Sequence, residues 1–408
     1  MRLAPVDLHS IKLGVPLPFS LADSRGVLLA QKGFVFDSDK ILLSLANHGN
    51  GFFVDFSDLS DPQVRMAEKA YVKHMLSALK DQKSLGELTK VQVGYSNGRS
   101  QESEDPRTFD WLNMVELCNA MLRTRDSAFF NHRLNSITVI LAHQLSVSPD
   151  QSLLALFYLS ERDTRFYSAT HCLLVCAICY LTASSVLAWS EPDIDLLLRC
   201  ALTMNIGNVD LQDKLATQKE TPDISQALMI REHCNLSAQT LELFGVLDKD
   251  WLAVVSGHHL FVDEPLKSAK TSERLVGLIQ RVDSFSAKLS IRVSREAQNV
   301  SVAMKSIFFD AESKLDAMGA AIIKAVGIHH PGSFVKLASG EVGIVVGRGK
   351  NTAHPIVAVV LQRDGVSSAS MAVRNTAGKP YAVVANVPSA NVHVSLNLEA
   401  ILTIGSAV

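Results

Sequence analysis

The sequence lacks any bias of charge that would direct it to a highly charged partner. Its 39 lysine and arginine residues nearly balance its 41 aspartate and glutamate residues over 408 positions. No strong overall field therefore attracts the chain to nucleic acid or to anionic lipid. A glycine-rich phosphate loop between a strand and a helix is missing too. We predict neither a nucleic-acid polymer among its partners nor a nucleoside triphosphate site.

The sequence has few cysteines, six in 408 residues. A chain of this length can bury a sizeable core without disulfide bonds. Cys176 and Cys179 form a C-x-x-C pattern, but the surrounding "HCLLVCAICYLT" contains no second pair and no turn glycine. That context favours buried thiols over a zinc or redox motif. The cysteines thus predict free thiols in a reducing cytoplasm.

A secretion signal is also lacking, because the opening "MRLAPVDLHS" has no charged lead followed by an apolar core. Residues 171–189 carry no acidic residue and no lysine, and they approach the length that crosses a bilayer. They include hydroxyl residues, however, and no basic flank adjoins them. We predict a buried core helix in a cytoplasmic protein without a membrane span.

Composition divides the chain into four regions. Residues 1–62 contain short β-type runs broken by turns, and residues 63–108 read as a helix followed by a polar linker. Residues 109–328 place apolar side chains three and four positions apart, as in "SERLVGLIQRVDSFSAKL", which predicts helices. Residues 329–408 hold β-branched runs separated by glycine turns, which predict a hairpin and a returning strand. The predicted fold is mainly α with small β-rich modules at both ends.

Four histidines of the helical region are candidates for metal binding. They are His171, His233 and the adjacent pair His258 and His259. Neighbouring residues on a helix point about 100° apart, so adjacent histidines would each face a different ion of a pair. The tandem pair therefore suggests a dinuclear site, although two histidines also meet at an ordinary helix end.

The order of several segments resembles a known family. "DTRFYSATHCLLVCAICYLT", "LLLRCALTMNIGNVDLQDKL", "MIREHCNLSAQTLE", "VVSGHHLFVD" and "ERLVGLIQRVDSFSAKLS" follow one another along the chain. This series is similar to the metal-dependent HD-GYP phosphohydrolase domain of bacterial cyclic di-GMP signalling. The β-rich tail and the N-terminal module also resemble parts that flank that domain. The resemblance implies an HD-domain-like helical bundle.

Four histidines of the family's metal site are present. His171 matches the first histidine ligand, His233 matches the histidine after the HD helix, and His258 with His259 matches the tandem pair. The resemblance therefore implies metal binding at these four positions.

The acidic half of the implied site is absent. Met204 and Asn205 stand where the family has the histidine and aspartate of the HD pair, and Asn208 replaces its lysine. The family's later helix aspartate falls on Gln280, whereas Asp283 matches a second aspartate that is not expected to bind metal. The glycine-tyrosine-proline signature is missing as well. Without a bridging carboxylate, two hard divalent ions have no anionic oxygen to share.

Three interpretations follow. The first is a catalytically inactive regulatory or binding module without a cofactor, which serves a signalling protein partner or cyclic di-GMP. Arg274 and Arg281 are then candidate phosphate contacts beside the histidines. The second is a cyclic di-GMP phosphodiesterase with a histidine-only site for iron, manganese or zinc. The third is a docking domain whose histidines are satisfied core residues.

Overall fold

The computed structural model describes residues 3–6, 17, 20–22, 28–31, 34–36, 52–55, 109–295, 297–309, 313–368 and 371–407. The helix and linker predicted over residues 63–108 lie outside these described residues. The chain forms two compact units, Met1–Phe109 and Asp110–Val408. Most of the described residues, and all the candidate site residues, belong to the second unit.

The first unit contains a small antiparallel sheet. Its strands are β1 (Leu3–Val6), β2 (Leu21–Ala22), β3 (Leu28–Ala30) and β4 (Phe52–Asp55). They pair in the order β1-β4-β2-β3. Leu21 and Ala22 of β2 are buried, as expected for a strand that pairs on both sides. The prediction of a small β-rich module at the N-terminus is confirmed.

The second unit is mainly helical. Its α-helices are α1 (Trp111–Leu122), α2 (Ser127–Val147), α3 (Pro149–Ser160), α4 (Tyr167–Leu181), α5 (Glu191–Thr203), α6 (Val209–Thr217), α7 (Ile224–Leu243), α8 (Lys249–Gly257), α9 (Thr271–Leu289), α10 (Val300–Phe308), α11 (Ala317–Val326) and α12 (Leu398–Ser406). The apolar spacing of the sequence had predicted this helical region, and the fold class is confirmed.

Helix α4 lies at the centre of the helical layer and contacts α1, α2, α3, α5, α6, α9 and α11. Every residue of it except Tyr180 is buried, as expected for a helix that is apolar all round. With the π-helical turn that follows it, α4 forms the apolar stretch Tyr167–Val186, long enough to cross a membrane. However, 78% of its apolar window is buried, which is typical of a core helix.

A second antiparallel sheet follows the helices. It consists of β5 (Phe334–Leu337), β6 (Val342–Gly347), β7 (Ile356–Leu361), β8 (Val373–Asn375) and β9 (Val383–Val387), in the order β8-β7-β6-β5-β9. The predicted hairpin is β5 with β6, and the returning strand is β7. Strand β6 contacts α3 and α12. Strands β6 and β7, which each pair on both sides, are buried along most of their length.

Candidate metal centre

Helices α7 and α8 carry the donor atoms, and local sequence fixes where both helices begin. Asp223 accepts a hydrogen bond from the Gln226 backbone N–H, and the Gln226 side chain accepts one from Asp223, which makes a capping box. Asp248 caps α8 in a similar way by accepting from the backbone N–H of Trp251. The Trp251 indole donates to Thr203 Oγ1 at 3.0 Å, which ties α8 to α5.

Three of the four predicted histidines converge on one point. The Nε2 atom of His233 lies 3.2 Å from Nε2 of His258 and 3.2 Å from Nε2 of His259. The tandem pair was expected to diverge toward two ions. It converges because α8 ends at Gly257 and His258 is its C-cap, so His259 follows the turn and the 100° helical spacing no longer applies. The sequence did not reveal that the helix ends between its apolar stretch and the histidines.

The outer nitrogens of these rings fix their tautomers. Nδ1 of His233 is 2.5 Å from the Ile230 carbonyl oxygen, and Nδ1 of His258 is 2.7 Å from the Val255 carbonyl oxygen. A carbonyl oxygen only accepts, so each Nδ1 carries the proton and each Nε2 presents a lone pair. Burial lowers the pKa of His233, and it lowers the pKa of His258 to about 4. Both rings are therefore neutral at pH 7, the form that binds a metal ion.

Cys234 adds a sulfur donor that sequence reasoning missed. Its Sγ lies 3.5 Å from Nε2 of His233 and 4.0 Å from Nε2 of His258. The ligand atoms of His233, Cys234, His258 and His259 all lie within 4.8 Å of one another, so this cluster can hold a metal ion. The signal in the sequence was the soft donor beside a histidine in "EHCN". His258 is fully buried, whereas half of the His259 side chain is exposed, which gives solvent access.

The fourth predicted histidine, His171, pairs with a carboxylate instead. Its Nε2 lies 2.7 Å from Oδ1 of Asp283, and both side chains are largely buried. Burial alone raises the pKa of Asp283, but the hydrogen bond from His171 and the charges of His171, His258 and His259 outweigh it. The net result is a pKa of about 2. Asp283 also faces the cluster, with Oδ2 3.9 Å from Nδ1 of His259.

Asp283 is the acidic residue of α9 that faces the histidines, and the match of the family's metal-binding aspartate to Gln280 stays a prediction. Within the described residues, the hydrogen bond and ion pairs that join α9 to the histidines come from Asp283. Gln280 lies three positions earlier, just under one helical turn, on a half-buried part of α9.

The segment that replaces the HD pair packs against α7. Met204 is fully buried, and the amide oxygen of Asn208 is buried without a hydrogen-bond partner. The Gly207 N–H donates to Ser237 Oγ at 3.0 Å, and a Cβ atom at Gly207 would lie 2.6 Å from the Leu236 backbone. Only glycine allows this approach. No hydrogen bond joins the side chains of this segment to the four histidines in the described part of the chain.

The two candidate phosphate-binding arginines are engaged in ion pairs. Arg281 donates through Nε and a terminal nitrogen to Oδ2 of Asp316, at 2.8 and 2.6 Å, and its side chain is 6% exposed. Arg274 lies 3.2 Å from Oδ2 of Asp193. A phosphate would have to displace a carboxylate at either position. The geometry gives Arg281 a structural part, joining α9 to the start of α11.

Arg281→Leu is expected to lower the free energy of unfolding by about 3 kcal/mol, because it leaves the Asp316 carboxylate largely buried and unpaired. The double variant Arg281→Leu/Asp316→Leu should recover much of that loss in urea unfolding, since both charges are then removed. The exposed pair of Arg165 and Asp163 serves as a control, with an expected loss below about 1 kcal/mol for Arg165→Leu. Equal losses at the two arginines would contradict a structural ion pair at Arg281.

No protein-family model and no curated protein matches this sequence. Among solved structures, the chain is similar to an HDG"Y"P protein from Bdellovibrio bacteriovorus. That similarity has a TM-score of 0.44 and 11% sequence identity, and it covers 79% of this chain and 98% of the other.

Proposed function

We propose that residues 109–328 form a degenerate HD-GYP-like domain of bacterial signalling that acts as a regulatory or binding module and does not hydrolyse cyclic di-GMP. One observation carries this proposal. The positions that match the HD pair hold Met204, a fully buried thioether, and Asn205, a neutral amide. Neither side chain can provide the anionic oxygen that a pair of divalent ions shares.

The chemistry of phosphodiester hydrolysis explains why this loss matters. Two-metal hydrolases hold their ions about 3.5–4 Å apart and use them to activate water and to stabilise the leaving oxygen. Among the described residues, the carboxylate that faces the histidines is Asp283, and it is already hydrogen-bonded to His171. The neutral Asn208 replaces a lysine that would help to bind phosphate. The module retains the histidines and lacks the charges that catalysis requires.

A histidine-bound mononuclear hydrolase is the second candidate, and the convergence of His233, His258 and His259 favours it. Three imidazoles around one ion are a known catalytic arrangement, provided that a fourth position stays open for water. This candidate therefore depends on whether Cys234 leaves that position free. The fourth histidine, His171, would remain outside such a site because Asp283 holds its Nε2.

Turnover and binding of cyclic di-GMP distinguish these functions. The untagged protein, supplemented anaerobically with iron or manganese, should release no linear dinucleotide above a buffer blank. Turnover that is lost in His258→Ala would overturn the proposal in favour of the mononuclear hydrolase.

Calorimetric titration with cyclic di-GMP then tests whether the inactive module binds this nucleotide. Binding supports a nucleotide sensor in the cytoplasm, and its absence directs the search to a signalling protein partner.

A further inference from the structure

The contact between His233 and His258 is unfavourable unless a cation lies between the rings. Both Nδ1 atoms donate to backbone carbonyl oxygens, so both Nε2 atoms present lone pairs at a separation of 3.2 Å. If Nε2 of His259 carries a proton, it can donate a hydrogen bond to Nε2 of His233. The contact between His233 and His258 would still join two lone pairs. A bound cation would turn this repulsion into two coordinate bonds.

The separations of His233 Nε2 from the other two ring nitrogens are close to those on one tetrahedral ion, and all four ligand atoms lie within 4.8 Å of one another. Zinc binds imidazole nitrogen at about 2.0–2.1 Å, so two nitrogens on a tetrahedral zinc lie about 3.3–3.4 Å apart. The separations from His233 to His258 and from His233 to His259 are both 3.2 Å. The distance expected between a nitrogen and a thiolate sulfur on the same ion is about 3.6 Å. Cys234 Sγ lies 3.5 and 4.0 Å from the nitrogens of His233 and His258.

We infer that His233, Cys234, His258 and His259 bind one zinc ion in a closed tetrahedral site, with the Cys234 thiolate as the fourth ligand. Imidazole and thiolate are the donors that zinc prefers, whereas magnesium and manganese prefer oxygen. Four protein ligands leave no position for a water nucleophile, as in structural zinc sites. The ion would join α7 to the end of α8, and its role would be to stabilise or to regulate.

The neighbouring groups support this ligand set. Cys234 Sγ lies within 4.0 Å of two ring nitrogens, and a bound zinc ion would replace the proton of this thiol. Asp283 Oδ2 lies 3.9 Å from Nδ1 of His259, beyond hydrogen-bond distance, and its negative charge favours a cation at the cluster. His171 belongs to its pair with Asp283 and lies outside the inferred ligand shell.

This inference rests on the proposed function, in which the chain lacks a dinuclear centre. Its test measures metal ligation and not turnover, so the inferred zinc site and the proposed function can fail separately. The untagged protein should contain one zinc ion per chain by elemental analysis. After replacement of zinc by cobalt(II), the protein should show a thiolate-to-cobalt charge-transfer band in the near ultraviolet. Cys234→Ser should remove that band and weaken zinc binding at least about tenfold in chelator competition.

Two controls keep the result specific. Cys200→Ser alters a buried cysteine outside the cluster, so it should keep the charge-transfer band and the zinc. His259→Ala changes a half-exposed side chain, so it should fold by circular dichroism yet bind zinc more weakly. Two ions per chain, a band that persists in Cys234→Ser, or a folded wild-type protein that takes up no zinc would each overturn the inference.

Discussion

His171→Leu is expected to lower the free energy of unfolding by about 3–5 kcal/mol, because it leaves the carboxylate of Asp283 buried without its partner. The two groups are 2.7 Å apart, and their side chains are 2% and 12% exposed. Breaking a buried pair on one side costs far more than the pair itself contributes, since an uncompensated charge remains in a poorly hydrated place. Water cannot easily take over the role of the imidazole here.

A double-mutant cycle measures this coupling. The free energy of unfolding is measured in urea for His171→Leu, Asp283→Leu and the double variant, all at one fixed zinc concentration. The double variant should lose much less of this free energy than the sum of the losses in the two single variants. We expect a coupling energy of about 2 kcal/mol or more between these contacting residues. Additive losses of free energy would mean that the two side chains do not interact, which would contradict the ion pair between His171 and Asp283.

The helical architecture was predictable from the sequence because it depends on a repeated pattern. Each helix of the central region repeats its apolar spacing over several turns, so single exceptions do not hide the period. The segment Thr271–Leu289 was predicted almost to its ends. The hairpin of β5 and β6 was predicted for a similar reason, since glycine and polar residues separate two β-branched runs.

The candidate site was predictable only in part, because side-chain direction depends on where helices end. The histidines His233, His258 and His259 were identified from the sequence, but their convergence follows from the end of α8 at Gly257. The contact of Asp283 with His171 was not predicted, since an apolar pattern does not state which polar position of a helix faces a neighbouring histidine. Cys234 was grouped with the buried thiols, although it alone of the six cysteines is half-buried.

Acid is expected to destabilise the protein through a histidine outside the metal centre, His330. Its side chain is fully buried, its Nδ1 donates to the Pro331 carbonyl oxygen at 2.9 Å, and its ring stacks on Phe157 at 3.8 Å. Burial lowers the pKa of His330 to about 4, and the charge of His329 adds to this effect against the hydrogen bond to Pro331. The Nε2 atom is buried without a hydrogen-bond partner, so a proton gained there would be poorly stabilised.

The sign of the effect follows from the two pKa values of His330. The unfolded chain binds this proton below pH 6.5 or so, whereas the folded protein binds it only below about 4. Between these values the unfolded state carries more protons, so stability falls as the pH falls, by up to about 3 kcal/mol over the whole window. Urea unfolding from pH 7.5 to 4.5 should show a shallower decline for His330→Phe than for the wild type. Between pH 7 and 7.5 the free energy of unfolding should change with pH equally in the two proteins. If it also fell in parallel in both proteins below pH 6, a buried, neutral His330 would be refuted.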